Sequence, residues 1–376
     1  MRGHGMRATG VASLPLHPGN APRWLFKRMV SLSSAMMEVM VEEEGTGFLL
    51  QRMSNPYWFQ ALSCVLGFDW HSSGTTTVTC GALKEAMKGS ELGVIGVGGK
   101  GRASRKAPQG IEEAAKVLEL SEQQAHTHVR TSKLTAKIDS AALQDGFELY
   151  HHAFFLDGEG NWAVVQQGLC NESGYARRYH WSNASDFFSS PHSGIACDEK
   201  RNQVLNLSHE NSQGNRKIML DLVNDSPMKL KPAHHKLLHP YQSNLFDDFH
   251  EPMEPLPHLK MPRNVNWNAL QQVYEIQPSR FEDLVMERGI GAGTVRALSY
   301  ISTLLYGDEP DWKDPVKFSF AVGGKDGVPF PVDRKAMDQA AIELKTALEE
   351  SRVNNKERLK GIERLREFLP EDYEWQ

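Results

Sequence analysis

Residues 150–169 restrict the possible folds of this chain more than any other segment. The segment YHHAFFLD is followed by the turn-forming residues GEGN and then by WAVVQQGL, a pattern typical of a β-hairpin. Near the turn both faces of the β-hairpin are apolar, whereas its far end is polar. A strand pair that is apolar on both faces is normally buried between other layers, so its polar end should meet polar partners within the protein. The sequence therefore predicts an α+β fold with antiparallel strands in its central part.

The expected register of the β-hairpin follows from the length of its turn. With four residues in the turn, the facing pairs are Asp157 with Trp162, Phe154 with Val165, and His152 with Gln167. His152 and Gln167 then lie directly across from each other on one face, and Asp139 comes shortly before the first strand. These three polar residues are the candidate catalytic residues of the central region.

Cationic and aromatic residues follow the β-hairpin closely. Arg177 and Arg178 lie in the segment YARRYHW, and His192 follows soon after. The guanidinium group of arginine matches the geometry of a phosphate and aromatic rings stack on bases, so both arginines are candidates for nucleic-acid contact. The alternative interpretation is a set of satisfied arginines and histidines in an α+β core.

A glycine-rich segment earlier in the chain concentrates positive charge. Residues 93–106, GVIGVGGKGRASRK, contain Lys100, Arg102, Arg105 and Lys106. Cations in a glycine loop with exposed backbone amides suit the binding of phosphates. The segment is not a P-loop, because glycine follows the lysine where that motif requires serine or threonine. The alternative interpretation is a solvated, flexible surface loop.

Near the C-terminus, a turn with alternating glycines separates two helical patterns. The turn is GIGAGT, in which Gly289, Gly291 and Gly293 alternate before Thr294. Glycine accepts positive φ and lets a phosphate approach the backbone amides at the start of the second helix, where the helix dipole favours an anion. Downstream, PVD at residues 331–333 opens a further helical pattern. The alternative is a glycine-rich turn without a ligand.

This arrangement resembles the helix-hairpin-helix DNA glycosylase superfamily. The resemblance implies that the turn holds the DNA backbone without reading its sequence, and that Asp333 is the catalytic carboxylate. Some members carry a Schiff-base lysine in the turn, but Gly293 takes that position here, so the implied enzyme is a monofunctional glycosylase. The interval from Gly293 to Asp333 is longer than usual, and Arg334 and Lys335 replace the usual threonine and histidine. No iron-sulfur cluster is expected, because no cysteine follows Cys197.

The N-terminal sequence resembles that of an uncharacterised prokaryotic family, domain of unknown function 763. The resemblance rests on MRATG at residues 6–10, LPLH at residues 14–17 and APRWLF at residues 21–26. It indicates relatives and implies no activity.

Helical periodicity and proline content indicate how the chain is organised. Residues 22–44 predict one long amphipathic helix, and prolines and histidines are frequent from residue 224 to residue 266. We expect four parts: an N-terminal helical region with the basic glycine loop (1–110), a central α+β domain (111–224), a Pro/His-rich linker (225–265) and a C-terminal helix-hairpin-helix module (266–376).

The bulk composition is that of an ordinary soluble protein, with 40% hydrophobic and 24% charged residues. The formal net charge of −5 means that any nucleic-acid surface must be local and basic. The four cysteines lie far apart, without the short spacing of structural zinc sites, and are interpreted as reduced thiols. No apolar run approaches the length of a membrane span, and we expect a cytoplasmic protein in contact with DNA and not with a membrane.

The favoured function is a DNA-binding protein of DNA repair or processing, in its sharpest form a monofunctional glycosylase that uses Asp333. The first alternative is a metal-dependent nuclease or phosphodiesterase in the central domain, where Asp139 and Asp157 position a divalent ion. A metal is expected under that alternative alone, and its identity is not indicated. A non-catalytic DNA-binding protein and a small-molecule enzyme are the further alternatives.

Overall fold

The computed structural model of the chain describes residues 21–67, 74–238, 257–317 and 334–368. The helices in these segments are α1 (Arg23–Glu44), α2 (Thr46–Met53), α3 (Pro56–Val65), α4 (Gly74–Met87), α5 (Arg102–Arg105), α6 (Ala107–Val117), α7 (Glu122–Lys137), α8 (Gln213–Asp225), α9 (Pro227–Leu238), α10 (Trp267–Ile276), α11 (Phe281–Met286), α12 (Ala292–Tyr306), α13 (Arg334–Glu350) and α14 (Asn355–Phe368). The strands are β1 (Val94–Lys100), β2 (Leu143–Gln144), β3 (Glu148–Asp157), β4 (Trp162–Leu169), β5 (Ala176–Ser182), β6 (Gly194–Ala196) and β7 (Leu205–Asn206). Within these segments, no helix combines the length and the apolar character needed to cross a membrane.

Among the described residues, five strands form one antiparallel sheet in the order β1-β3-β4-β5-β6. β2 and β7 form a separate two-stranded ladder. The predicted β-hairpin is confirmed as β3 and β4, which lie inside the sheet. The α+β fold class with antiparallel strands is confirmed as well.

The turn of the β-hairpin has three residues between its closing pair, one fewer than predicted. Asp157 donates its backbone amide to the carbonyl of Asn161 at 3.1 Å, and Gly160 has a φ of +91°. The Asp157 carboxylate also accepts the amides of Glu159 and Asn161 at 3.0 and 2.8 Å. A three-residue turn with glycine at positive φ in its last position is a common hairpin connection.

The shorter turn moves the register by one residue, so the predicted pairing is wrong. His152 faces Gln166, and His151 faces Gln167. Because side chains alternate between the two faces of a sheet, a shift of one position sends each partner to the opposite face.

Helices cover both faces of the sheet. On one face, Phe154, Leu156, Trp162 and Val164 pack with helices α6 to α12, and we call this the α12 face. On the other face, Ala153, Phe155, Ala163 and Val165 pack with α1 to α4, α13 and α14, and we call this the α3 face. The prediction that the β-hairpin is buried between layers is therefore confirmed.

The glycine-rich segment forms an edge strand and a short helix, whereas the sequence predicts a glycine loop. β1 pairs with β3 along its whole length. A Cβ atom on Gly96 would come within 2.7 Å of the Phe155 ring, and one on Gly98, where φ is +77°, would come within 2.3 Å of the His152 carbonyl oxygen. The glycines thus allow a close approach of neighbouring chain segments, one of the roles of glycine inside strands.

Packing also relates distant parts of the sequence. α9, which lies in the segment predicted as a linker, is a helix that contacts α12. α13 and α14, which the sequence groups with the helix-hairpin-helix module, pack on α3 and complete the apolar cluster of the α3 face. The pairing of β1 with β3 crosses the boundary expected at residue 110. The four-part division stays a prediction.

Candidate functional site

A chain of hydrogen bonds crosses the α12 face at the polar end of the β-hairpin. Ser132 Oγ on α7 lies 2.8 Å from Nε2 of His152 on β3. The other ring nitrogen of His152, Nδ1, lies 2.8 Å from Oε1 of Gln166 on β4. Gln166 Nε2 donates to Oδ2 of Asp139 at 2.5 Å. We call these four residues the serine relay, and each of them is at most 3% exposed.

Asp139 anchors the far end of the serine relay. It lies in the π-helical turn Ile138–Ala142 that ends α7, a distortion that is frequent at functional sites. Trp181 Nε1 donates to Oδ2 at 2.9 Å, and His192 Nε2 lies 2.5 Å from Oδ1. Together with Gln166, these neighbours occupy both carboxylate oxygens of Asp139.

The chemistry of these groups fixes the direction of each hydrogen bond. A carboxylate accepts hydrogen bonds, so the amide nitrogen of Gln166 faces Asp139 and its oxygen faces His152. Nδ1 of His152 must then carry the proton, which leaves the Nε2 lone pair to accept from the Ser132 hydroxyl. Burial lowers the pKa of His152, although the Gln166 hydrogen bond and the Asp139 charge oppose this effect. A neutral imidazole facing a hydroxyl is the arrangement of a general base beside a nucleophile.

Ser132 and His152 line a pocket of about 510 Å³, a volume within the usual range of small-molecule sites. Three cationic residues, Arg105, Lys133 and Lys137, also line this pocket, and the described lining contains no acidic residue. Met286, the last residue of α11, completes one side. We call this cavity the relay pocket.

α11 and α12 are two helices joined by the glycine turn that the sequence predicts. Gly289 has a φ of +88°, and Ile290 beside it is buried. Gly291 is extended and exposed, and a Cβ atom placed on it would have no described neighbour within 4 Å. No side chain of the described residues caps α12, so its first amides keep their hydrogen-bonding capacity.

The remaining residues of the turn are less open. Gly293 is half-buried near Pro262, and Thr294 is 5% exposed. The backbone around Gly289 and Gly291, and not the Thr294 side chain, therefore faces solvent.

α7 connects the serine relay to the α11–α12 turn. Arg130 on α7 forms an ion pair of 2.7 Å with Asp283 on α11. At the C-terminal end of the same helix, Lys137 Nζ donates to the Ile290 carbonyl in the turn at 2.6 Å. Ser132 lies between these two contacts in the sequence, so a single helix carries the relay hydroxyl and holds the turn.

Gln167 lies on the α3 face, away from the serine relay. Its Nε2 donates to the Tyr150 hydroxyl, and its Oε1 accepts from the Thr76 hydroxyl. The predicted pairing of Gln167 with His152 is therefore corrected, and the cause is the one-residue change in register.

Arg177 and Arg178 are interior residues. Arg177 is fully buried between Asp145 and Asp314, with ion-pair distances of 3.0 and 2.8 Å. Arg178 is 7% exposed and donates from Nε to Thr76 Oγ1 at 2.9 Å. This arrangement corresponds to the satisfied core that the sequence offers as the alternative. Nucleic-acid contact by these two arginines stays a prediction, which their burial does not favour.

The other predicted phosphate-binding cations are exposed. Lys100 ends β1, while Arg102, Arg105 and Lys106 lie in and beside α5. Of these four, Arg105 lines the relay pocket. Asp333, the implied glycosylase carboxylate, lies outside the described residues.

Two members of the serine relay, Ser132 and Gln166, are absent from the sequence-based candidates. The correct register of the β-hairpin gives Gln166 at once. The signal for Ser132 is a row of buried polar residues at helical spacing along α7 and its π-helical turn: His128, Thr131, Ser132, Thr135 and Asp139. The inward face of a helix is normally apolar, so a polar row on that face indicates an internal network.

The fold and site define a layered α+β protein with a serine–histidine–glutamine–aspartate chain beside a two-helix turn. A family model described as Protein of unknown function (DUF763) matches residues 10–332, and the chain belongs to this family. The resemblance found in the N-terminal sequence is therefore confirmed. Neither the curated proteins nor the solved structures yielded a match to this chain.

Proposed function

We propose that this protein binds DNA and acts in DNA repair or processing, with the α11–α12 turn as its backbone-binding element. The observation that carries the proposal is the open N-terminus of α12, a helix of 15 residues that begins after the exposed Gly291 without a side-chain cap. Free amides and the positive end of the helix dipole attract a phosphate. Such contacts hold the backbone of DNA without selecting its sequence.

Positive charge near the turn supports the same function. Arg105 and Lys133 are exposed and line the relay pocket, which Met286 of α11 also borders. Because the whole chain carries a net charge of −5, a cationic pocket wall is a local feature that can direct a polyanion to one surface.

This function has two possible enzymatic forms, a glycosylase and a metal-dependent nuclease, which depend on different carboxylates. The glycosylase form depends on Asp333, which lies outside the described residues. The metal-dependent nuclease form depends on open carboxylates, but both oxygens of Asp139 accept protein hydrogen bonds. Asp157 is likewise occupied by its own turn and by Thr46, at 2.9 Å. We therefore propose DNA binding beside the relay pocket and assign no metal.

The test is the affinity for a fluorescent DNA duplex, measured by polarisation over a range of salt concentrations. Gly291→Glu places a negative charge in open space and should weaken binding at least about 10-fold at low salt. Gly291→Ser, which fits the same space without charge, should stay within about 3-fold of the wild type. Asn355→Glu, on α14 of the α3 face, controls for net charge. Unchanged affinity in Gly291→Glu contradicts the proposal.

Base release separates the glycosylase form from simple binding. On duplexes with damaged bases, Asp333→Asn should abolish excision and keep the affinity for DNA near that of the wild type. Excision that persists in this variant removes Asp333 from the mechanism. Strand cleavage that stops with a chelator and continues in Asp333→Asn selects the metal-dependent form.

A further inference from the structure

We propose that Ser132 is a nucleophile that attacks a phosphodiester in the relay pocket, with His152 as its general base and Gln166 and Asp139 as positioning residues. The inference deepens the proposed function, and it rests on that function for DNA as the source of the phosphodiester.

The hydrogen bonding of Ser132 differs from that of Ser63 and Ser140, two other helical serines of this chain. Ser63 and Ser140 donate to the carbonyl oxygens four residues earlier, at 2.8 and 2.7 Å, which is the ordinary way for a helical serine to satisfy its hydroxyl. Ser132 instead meets His152 Nε2 at 2.8 Å. Its hydroxyl is thus directed at the one atom that can remove its proton.

The relay controls that atom through two further residues. Asp139 orients the Gln166 amide, and the Gln166 oxygen holds the Nδ1 proton of His152. A histidine whose tautomer is fixed by a hydrogen-bonded partner is the second element of catalytic serine–histidine arrangements. Here the Gln166 amide takes the place of the usual carboxylate beside the histidine. The Asp139 carboxylate comes next in the chain of hydrogen bonds, behind Gln166.

The lining of the relay pocket indicates the substrate class. Arg105 and Lys133 provide positive charge, and none of the described lining residues is acidic. Lys137 also lines the pocket, although its ammonium group is engaged by the Ile290 carbonyl. An anionic ester suits this wall, and a phosphodiester is the ester that a neighbouring DNA-binding turn would present.

The proposed reaction has two steps, transfer of the phosphoryl group to Ser132 and hydrolysis of the resulting phosphoserine diester. First, Ser132 Oγ bonds to phosphorus while His152 Nε2 takes the hydroxyl proton, and the bond from phosphorus to the leaving oxygen breaks. The imidazolium then gives the proton to that oxygen, which departs as an alcohol. Second, water attacks the phosphoserine diester with His152 again as base, the Ser132 oxygen leaves and regains a proton, and a phosphomonoester is released. The sum is the hydrolysis of one ester bond by one water molecule.

The first measurement uses the wild-type chain and no DNA. Incubation with diisopropyl fluorophosphate should phosphorylate Ser132 with loss of fluoride, and peptide mass spectrometry locates the adduct. Because this readout is independent of DNA, it stays interpretable if the DNA-binding proposal fails. An unlabelled Ser132, or labelling spread over exposed serines, overturns the inference.

The second measurement is the hydrolysis of bis(p-nitrophenyl) phosphate, followed by the release of p-nitrophenolate. Ser132→Ala should reduce turnover at least about 100-fold, as expected for loss of a nucleophile. Ser33→Ala is the matched control, because Ser33 is a fully buried serine on α1 of the α3 face. Circular dichroism of both variants verifies the fold. Turnover of folded Ser132→Ala equal to that of Ser33→Ala contradicts the assignment.

Discussion

Ser132 Oγ and His152 Nε2 lie 2.8 Å apart although 20 positions separate the two residues in the sequence. The contact joins α7 to β3, and its geometry depends on Gln166 and Asp139, which continue the hydrogen-bond chain from His152.

Gln166→Leu should lower the free energy of unfolding by about 2–4 kcal/mol, because it leaves the Nδ1 proton of buried His152 unsatisfied and removes one donor from Asp139. Urea denaturation measures the loss. Gln271→Leu, at an exposed position of α10, is the control and should change stability by less than about 0.5 kcal/mol. Nitrogen-15 NMR of the histidines should also show that His152 populates both neutral tautomers in the variant, whereas the wild type holds the Nδ1-protonated form. A variant as stable as the control contradicts the relay.

Stability should fall as the pH decreases below 6.5, in part because of His151. Burial lowers the pKa of His151 to about 3 in the folded protein, and its ring makes no hydrogen bond within the described chain. Above pH 6.5 His151 is neutral in both states. Between pH 6.5 and about 3 the unfolded chain takes up a proton that the folded chain does not, which costs up to about 1.4 kcal/mol per pH unit.

His151→Phe tests this origin, because phenylalanine fills similar space and does not titrate. Its stability should decline less steeply with acid than that of the wild type, as measured by urea denaturation from pH 7 to pH 4. The exposed His126→Phe is the control and should keep the wild-type slope. Equal slopes in all three proteins would show that His151 protonates freely in the fold.

Gly98→Ala should be more damaging than the same change at another glycine with positive φ. At Gly98 the added Cβ meets the His152 carbonyl oxygen at 2.3 Å, within the pairing of β1 and β3. At Gly307, which ends α12 with a φ of +76°, the Cβ meets no described atom within 4 Å. We expect a loss of about 1 kcal/mol for Gly307→Ala and at least about 3 kcal/mol for Gly98→Ala. Thermal unfolding compares the two, and equal losses would mean that β1 is not held against β3.

Substitutions of Arg177 and Arg105 should have opposite effects: the first should lower stability, and the second should lower DNA affinity. Arg177→Gln leaves Asp145 and Asp314 buried without their cation, so it should cost about 3–5 kcal/mol of stability. Where the variant is folded, its DNA affinity should match the wild type. Arg105→Gln should instead weaken DNA binding and alter stability by less than about 0.5 kcal/mol, because Arg105 is exposed. The reverse result would place Arg177 at the DNA interface.

The β-hairpin and its polar end were predictable, because strand pairing leaves a direct pattern of apolar residues. Its register was not, since the turn length depends on the Asp157 carboxylate accepting backbone amides and on the positive φ of Gly160. Neither feature changes the apolar pattern, yet together they decide whether Gln166 or Gln167 meets His152.

The candidate site was predictable in part for a related reason. Asp139 and His152 were identified as polar residues near the β-hairpin, and both belong to the serine relay. Ser132 was missed because a helical serine usually satisfies itself on its own helix. β1 was missed because glycines disfavour strands on average, and their role here depends on the backbone of His152, which a local pattern does not contain.

α13 and α14 begin after residue 332, where the family match ends, yet they cover α3, whose residues are buried along its entire length. The segment that matches the family model therefore ends before the last helices that pack on the α3 face. A fragment trimmed to the matched segment would expose an aromatic-rich helix to water, and it should self-associate or be degraded in cells. Recombinant forms of this protein should therefore retain residues 334–368, which lie outside the matched segment.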